Sequence, residues 1–124
     1  MTTMVNCVLI VDDDPAFRRL ACRIVAGLGL AVAGEAGTFA AAVAAAAELH
    51  PDAALVDFGL PDGDGVTLAA HLVALPGRPR VVLTSSDPDA ITAATAEQAG
   101  AVGFLPKSEL TDGSLRRMLT GEER

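Results

Sequence analysis

Four groups of residues in the 124-residue chain carry side chains equipped for chemistry: Asp12-Asp13-Asp14, Asp57, Thr84-Ser85-Ser86 and Lys107. Far apart in sequence, they become a set only if the fold gathers them at one rim. Carboxylates packed together repel and raise one another's pKa unless a cation intervenes. A hard divalent ion such as Mg²⁺, which takes one or two carboxylates along with water and phosphate oxygens, suits an all-oxygen set. With Asp57 as an aligned nucleophile, and metal and Lys107 supplying positive charge, such a set could transfer a phosphoryl group.

Taken singly, the same residues have plainer readings. Asp12 and Asp13 could be a solvated acidic loop ahead of a helix, which accounts well for Asp14. Thr84, Ser85 and Ser86 could be turn residues, and Lys107 a surface lysine. The elements that position them decide between the two readings.

Cys7-Val8-Leu9-Ile10-Val11 is continuously apolar, as a strand buried on both faces of a parallel sheet should be. Asp14 then stands at an N-cap position with Pro15 at the first helical one. The helix that follows is expected to bury Phe17, Leu20, Ala21, Ile24 and Leu28 and to end at Gly27 and Gly29; Arg18, Arg19 and Arg23 read as a solvated face. A weaker strand spans Ala31 to Ala36. Thr38 caps a helix running to Leu49, with Phe39, Val43 and Ala47 inward and Pro51 as its stop. Ala53 to Val56 is strand three, followed by a Gly, Pro and Asp loop from Gly59 to Gly65 and a helix from about Val66 to Leu75. Strand four is Val81 to Leu83. Asp87-Pro88 restarts a helix to Gly100, strand five is Val102 to Leu105, and a short last helix turns Leu115, Met118 and Leu119 inward.

Five strands alternating with five helices imply an α/β fold: a doubly wound, five-stranded parallel sheet. Ligands of such sheets bind beyond the carboxyl ends of the strands. Asp12, Asp13, Asp57, the Thr84-Ser85-Ser86 hydroxyls and Lys107 all follow strand ends, so topology does gather them.

Composition narrows the partners. A net charge of −7 argues against nucleic acid or an anionic membrane bound by electrostatics. No apolar run approaches the roughly 20 residues of a membrane span, and Met1 to Asn6 lacks the regions of a signal peptide, so a cytoplasmic location is expected. Cys7 and Cys22 read as reduced packing thiols, and His50 and His71 as surface residues. One domain over residues 1–124, with its core at about 5–120, is expected. Gly121 to Arg124 reads as a natural end or the start of a linker, and a stand-alone chain without an output domain is the favoured reading.

Leu9-Ile10-Val11-Asp12-Asp13, Val56-Asp57 followed by Leu60-Pro61 and Asp64-Gly65, the strand-four hydroxyl, and Gly100-Ala101 through Phe104 to Lys107 together carry a specific likeness. Over essentially its whole length the chain resembles the receiver domain of two-component response regulators. That resemblance implies a flavodoxin-like strand order 2-1-3-4-5. It implies that Asp57 accepts a phosphoryl group from a sensor histidine kinase or phosphotransfer protein. Asp13, Asp57 and the backbone carbonyl of Gly59 would hold Mg²⁺, with Asp12 assisting through water. Lys107 would pair with the phosphoryl group, the strand-four hydroxyl would swing to bind it, and Phe104 would rotate inward. The family's spacing to the lysine falls on Ser85, with Thr84 the alternative, since adjacent strand residues point to opposite faces. An unidentified downstream protein would be the target, and the chain would be a monomer or a weak phosphorylation-dependent dimer. Its only catalysis would be its own phosphorylation and dephosphorylation.

The chain departs from the family in that Pro106 precedes Lys107 and Ser108 follows it, and in having Phe104 without a hydroxyl. Two rival readings remain. Asp12-x-Asp14 after Ile10-Val11 resembles the first motif of haloacid dehalogenase-like phosphatases, although that family needs an acidic pair after the lysine and only Glu109, Asp112 and Glu122-Glu123 follow here. A pseudo-receiver that binds a partner without phosphorylation is the other. The stretch from Pro88 to Ala99 has Ile91 as its only bulky apolar residue, so its helix is expected to be the most loosely docked element.

Overall fold

The computed structural model describes residues 7–122. Met1–Asn6 and Glu123–Arg124, on which the signal-peptide and end-of-chain readings partly rest, lie outside them. The strands are β1 (Cys7–Val11), β2 (Ala31–Ala36), β3 (Ala53–Asp57), β4 (Arg80–Ser85) and β5 (Gly103–Pro106). The helices are α1 (Pro15–Gly27), α2 (Phe39–Leu49), α3 (Gly65–Val73), α4 (Ala93–Gln98) and α5 (Ser114–Thr120), with a 3₁₀ turn at Lys107–Glu109. The sheet order is β2-β1-β3-β4-β5 and all pairings are parallel, the arrangement expected from the alternation of elements. A separate two-residue antiparallel ladder, Gly59–Leu60 against Gly63–Asp64, closes the loop after β3.

Strand alternation divides the core into two layers. Leu9, Val11, Ala54, Val56, Val81 and Leu83 face α2, α3 and α4, where Ala42, Ala46, Leu68, Leu72 and Ala96 meet them. Val8, Ile10, Leu55, Val82 and Leu105 face α1 and α5, meeting Ala21, Val25, Leu115 and Leu119. Both layers are aliphatic, and each fully buried Leu or Ile contributes about 1.5–3 kcal/mol.

Helix starts follow the sequence logic. Asp14 accepts from the Ala16 N–H with Pro15 at N1, Thr38 accepts from Ala41 N–H, and Asp64 accepts from Thr67 N–H. His50 and Gly29 adopt left-handed conformations where α2 and α1 end.

Several expectations need correction. Leu20 is 44% exposed, whereas Ala21 and Val25 are fully buried: α1 approaches the sheet closely on its small residues, which turns Leu20 to solvent. For the same reason α2 buries Ala42 and Ala46, and Ala47 is exposed. Helix α3 ends at Val73, not Leu75. The helix expected from Pro88 begins instead at Ala93. There, Thr92 Oγ1 accepts from Thr95 N–H, while Asp87 closes only a single turn, its carbonyl accepting from Ala90 N–H. Strands β3, β4 and β5 each run past their expected ends, to Asp57, Ser85 and Pro106. Among the described residues no peptide bond is cis, Leu105-Pro106 included, and no helix is long and apolar enough to cross a membrane.

Candidate phosphoacceptor site

Asp57 closes β3, and Asp12 follows β1 on the adjacent strand. Because β1 and β3 pair in register from Val8 with Ala53 to Val11 with Val56, the two acids stand side by side. Both alternate onto the sheet face that carries Ile10 and Leu55, the side of α1. Lys107 Nζ lies 2.7 Å from Asp12 Oδ2 and 3.4 Å from Asp57 Oδ1, bridging them. The same ammonium sits 4.0 Å from the centre of the Phe17 ring on α1, an added cation–π contact. Asp12 Oδ1 accepts from Asp14 N–H at 2.8 Å, so both Asp12 oxygens are engaged.

Burial pushes the Asp57 carboxyl above the ordinary range, and the neighbouring Asp12 charge adds to this while Lys107 opposes it. For Lys107, burial works to lower the pKa, but the hydrogen bond to Asp12 and the charges of Asp57 and Asp12 overcome it and hold the ammonium protonated above its ordinary value. The group is thus short of positive charge at Asp57 and firmly charged at Lys107.

Oxygens of Asp12, Asp13 and Asp57 lie within 4.8 Å of one another. They line an open cleft of about 530 Å³ with Gly59, Ser85, Ser86, Asp87 and Lys107. An all-oxygen donor set with one exposed carboxylate, Asp13, and room for water fits Mg²⁺. Of the residues singled out in the sequence, Asp12, Asp13, Asp57, Gly59, Ser85, Ser86 and Lys107 share this cleft. Ser85 lines this cleft, its Oγ accepting from Asp87 N–H at 3.1 Å. Thr84 does not line it and is wholly buried. Phe104 is half-buried against the α3 and α4 layer of the core, on the same sheet face as Leu83 and Ser85.

Three supporting groups lack any local sequence signal. Arg18 is not a solvated side chain. Its guanidinium donates to the Asp12 carbonyl at 2.6 Å and pairs with Glu35 on β2 at 3.2 Å, holding the loop that carries Asp12 and Asp13. Asp62, in the loop after β3, accepts from the N–H groups of Phe39 at 2.6 Å and Ala40 at 3.1 Å, capping α2 from outside its own sequence. Those two N–H bonds hold the Asp62 carboxyl below its ordinary range. Gly63 then lies against the Phe39 ring, where a Cβ would come within 2.7 Å. Phe17 is the third, seating the lysine.

Among the described residues, acids that a phosphatase reading would draw on are engaged elsewhere. Asp14 is occupied as the α1 cap, Glu109 lies in the 3₁₀ turn, and Asp112 accepts from Ser114 N–H.

A doubly wound parallel sheet that presents an aspartate beside a carboxylate pair and a lysine, all at the carboxyl ends of its strands, defines a flavodoxin-like α/β domain with an oxygen-rich cation site. The family model of the response regulator receiver domain matches residues 8–120, and the chain belongs to that family, the receiver domains of two-component systems. The KDP operon transcriptional regulatory protein KdpE of Escherichia coli is 38% identical over 102 residues, covering 81% of this chain and 44% of that protein. A protein-glutamate methylesterase/protein-glutamine glutaminase of Hahella chejuensis is 36% identical over 104 residues, covering 82% and 30%. The chain thus spans less than half the length of these relatives. Among solved structures, the signal receiver domain of NarL from Mycobacterium tuberculosis has a TM-score of 0.78 at 32% identity, covering 94% of this chain and 98% of that one. The BeF3-activated N-terminal receiver domain of RstA from Klebsiella pneumoniae has a TM-score of 0.78 at 26% identity, covering 91% and 95%.

Proposed function

We propose that this chain is a signalling switch in which Asp57 takes a phosphoryl group from a phosphohistidine of a sensor histidine kinase or phosphotransfer protein. The observation that carries the reading is Asp57 itself: a poorly solvated carboxylate with Asp12 beside it, Lys107 at 3.4 Å and an open cleft before it. An Asp57 oxygen forms a P–O bond as the P–N bond of the donor breaks, and the donor imidazole, already protonated on its other nitrogen, leaves as the neutral ring. Asp13, Asp57 and the Gly59 carbonyl, with Asp12, would hold Mg²⁺, which when bound would offset charge on the phosphoryl oxygens. Lys107 supplies the second positive charge.

The response runs through β4 and β5. Ser85 leaves its Asp87 N–H partner and turns its hydroxyl to the phosphoryl group, and Phe104, on the same sheet face, moves inward behind it. Ser85 takes this role in preference to Thr84 because it alone of the two lines the cleft. The similar RstA receiver domain is BeF3-activated, in keeping with a domain that has an activated state. The chain acts in the cytoplasm, as a monomer or weak phosphorylation-dependent dimer, on a protein partner. It turns over no substrate besides its own aspartyl phosphate.

The test is incubation with a small phosphoryl donor and Mg²⁺, followed by mass analysis. One phosphoryl group on Asp57, absent in Asp57→Asn and dependent on Mg²⁺, is the expected result. No labelling would leave a partner-binding pseudo-receiver, and turnover of a phosphate ester through Asp12 would leave a phosphatase.

A further inference from the structure

Thr84 is 0% exposed, and its Oγ1 has no hydrogen-bond partner. A buried hydroxyl left unpaired costs stability, so its retention calls for a use in another state of the molecule. Register and alternation place it. Thr84 is the β4 partner of Asp57 and the partner of Leu105 on β5, and it shares a face with Val82, Leu55 and Asp12, the side of α1.

Lys107 leaves the end of β5 on that side, yet its ammonium lies between Asp57 on β3 and Asp12 on β1, over Phe17. Strands stand about 4.8 Å apart. The lysine stem therefore has to pass across the end of β4, where Thr84 is the residue on that face. Register thus places Thr84 beneath the route of the lysine.

Lys107 also holds Asp12 at 2.7 Å, a carboxylate that the cation-binding set needs. A divalent ion drawing on Asp12 competes directly with the ammonium, which has three N–H donors to place elsewhere. We propose that Thr84 Oγ1 is the acceptor that Lys107 takes when a divalent cation claims Asp12, so that Thr84 is a positioning residue setting Mg²⁺ affinity and keeping the ammonium beside Asp57. This deepens the reading of the site as Mg²⁺-dependent and rests on it.

The test compares the parent with Thr84→Val, which keeps shape and loses the hydroxyl, and with Thr84→Ser, which keeps the hydroxyl. Mg²⁺ affinity is read by amide NMR titration with MgCl₂, and the thermal midpoint is read separately in chelator. Thr84→Val should be at least as stable as the parent without metal and bind Mg²⁺ about tenfold more weakly, the low end for one hydrogen bond to a charged group. Thr84→Ser should bind as the parent does. Parent-like Mg²⁺ affinity in Thr84→Val would overturn the proposal and leave the site reading intact, as would a lowered midpoint in chelator, which would show that the hydroxyl serves the metal-free fold. Absence of Mg²⁺ binding by the parent itself would overturn both.

Discussion

Gly65 is where a single methyl group should disturb the chemistry most. It opens α3, and its N–H donates to the Phe58 carbonyl at 2.6 Å. A Cβ there would lie 2.6 Å from the Asp57 carbonyl oxygen and 2.8 Å from Phe58 Cα. Both neighbours are backbone and cannot swing aside. Ordinary contact starts at 3.4 Å, so Gly65→Ala has to open a gap of roughly 0.8 Å, by moving either α3 or the strand end that bears Asp57 and Gly59. Overpacking of this kind costs about 1–3 kcal/mol, or about 4–12 °C in Tm at about 4 °C per kcal/mol for a domain of this size. Misplacement of a reacting group by about 1 Å can slow a reaction about 100-fold. The assay is the initial rate of Asp57 labelling by a small phosphoryl donor at saturating Mg²⁺, with Tm measured alongside. Gly27→Ala is the control, since nothing lies within 4 Å of its added Cβ, and it should leave the rate unchanged. A Gly65→Ala protein with parental rate and Tm would refute the reasoning, because it would mean that this backbone contact yields freely.

The remaining predictions concern the scaffold. Asp62 has its native pKa held below its ordinary value of 3.8, so its contribution is complete above that pH and is lost as pH falls through the native value. Asp62→Ala should therefore be less stable than the parent at pH 7, with the two acid denaturation curves converging at low pH; a constant gap across the acid limb would refute the assignment. Leu72→Ala should cost about 2–5 kcal/mol in denaturant melts, whereas Leu20→Ala should stay within about 0.5 kcal/mol, and equal losses would contradict the burial of α1. Helix α4, with Ala96 as its one buried residue, should exchange its amides fastest of the five helices and change most on phosphorylation. Protection there equal to that of β1 and β3 would count against it.

The strand-end chemistry was legible because topology alone gathers it: apolar runs mark the strands, and the residue after each run is on the rim. The helix caps at Asp14 and Thr38 were legible because an N-cap bond is local. What failed was phase and distance. On α1 and α2 the small Ala residues, not the larger Leu20, face the sheet, because close helix packing favours small side chains and sequence hydrophobicity does not report closeness. Before α4, Asp87-Pro88 reads as the helix start, but Asp87 closes a single turn and Thr92 caps the helix that forms. Asp62 and Arg18 act on backbone groups brought near by the fold, which no sequence spacing encodes.

The order of the site along the chain has an electrostatic consequence. Asp12 and Asp13 follow β1 and Asp57 ends β3, strands that pair with each other. Their internal counter-charge, Lys107, comes from the far side of the sheet, across β4. Without β5 in place, Asp12 and Asp57 lack the ammonium that pairs with both of them. Docking of β5 thus closes the electrostatics as well as the sheet. Asp57 meets Lys107 only across a completed sheet, so the charge balance of the rim depends on its last strand.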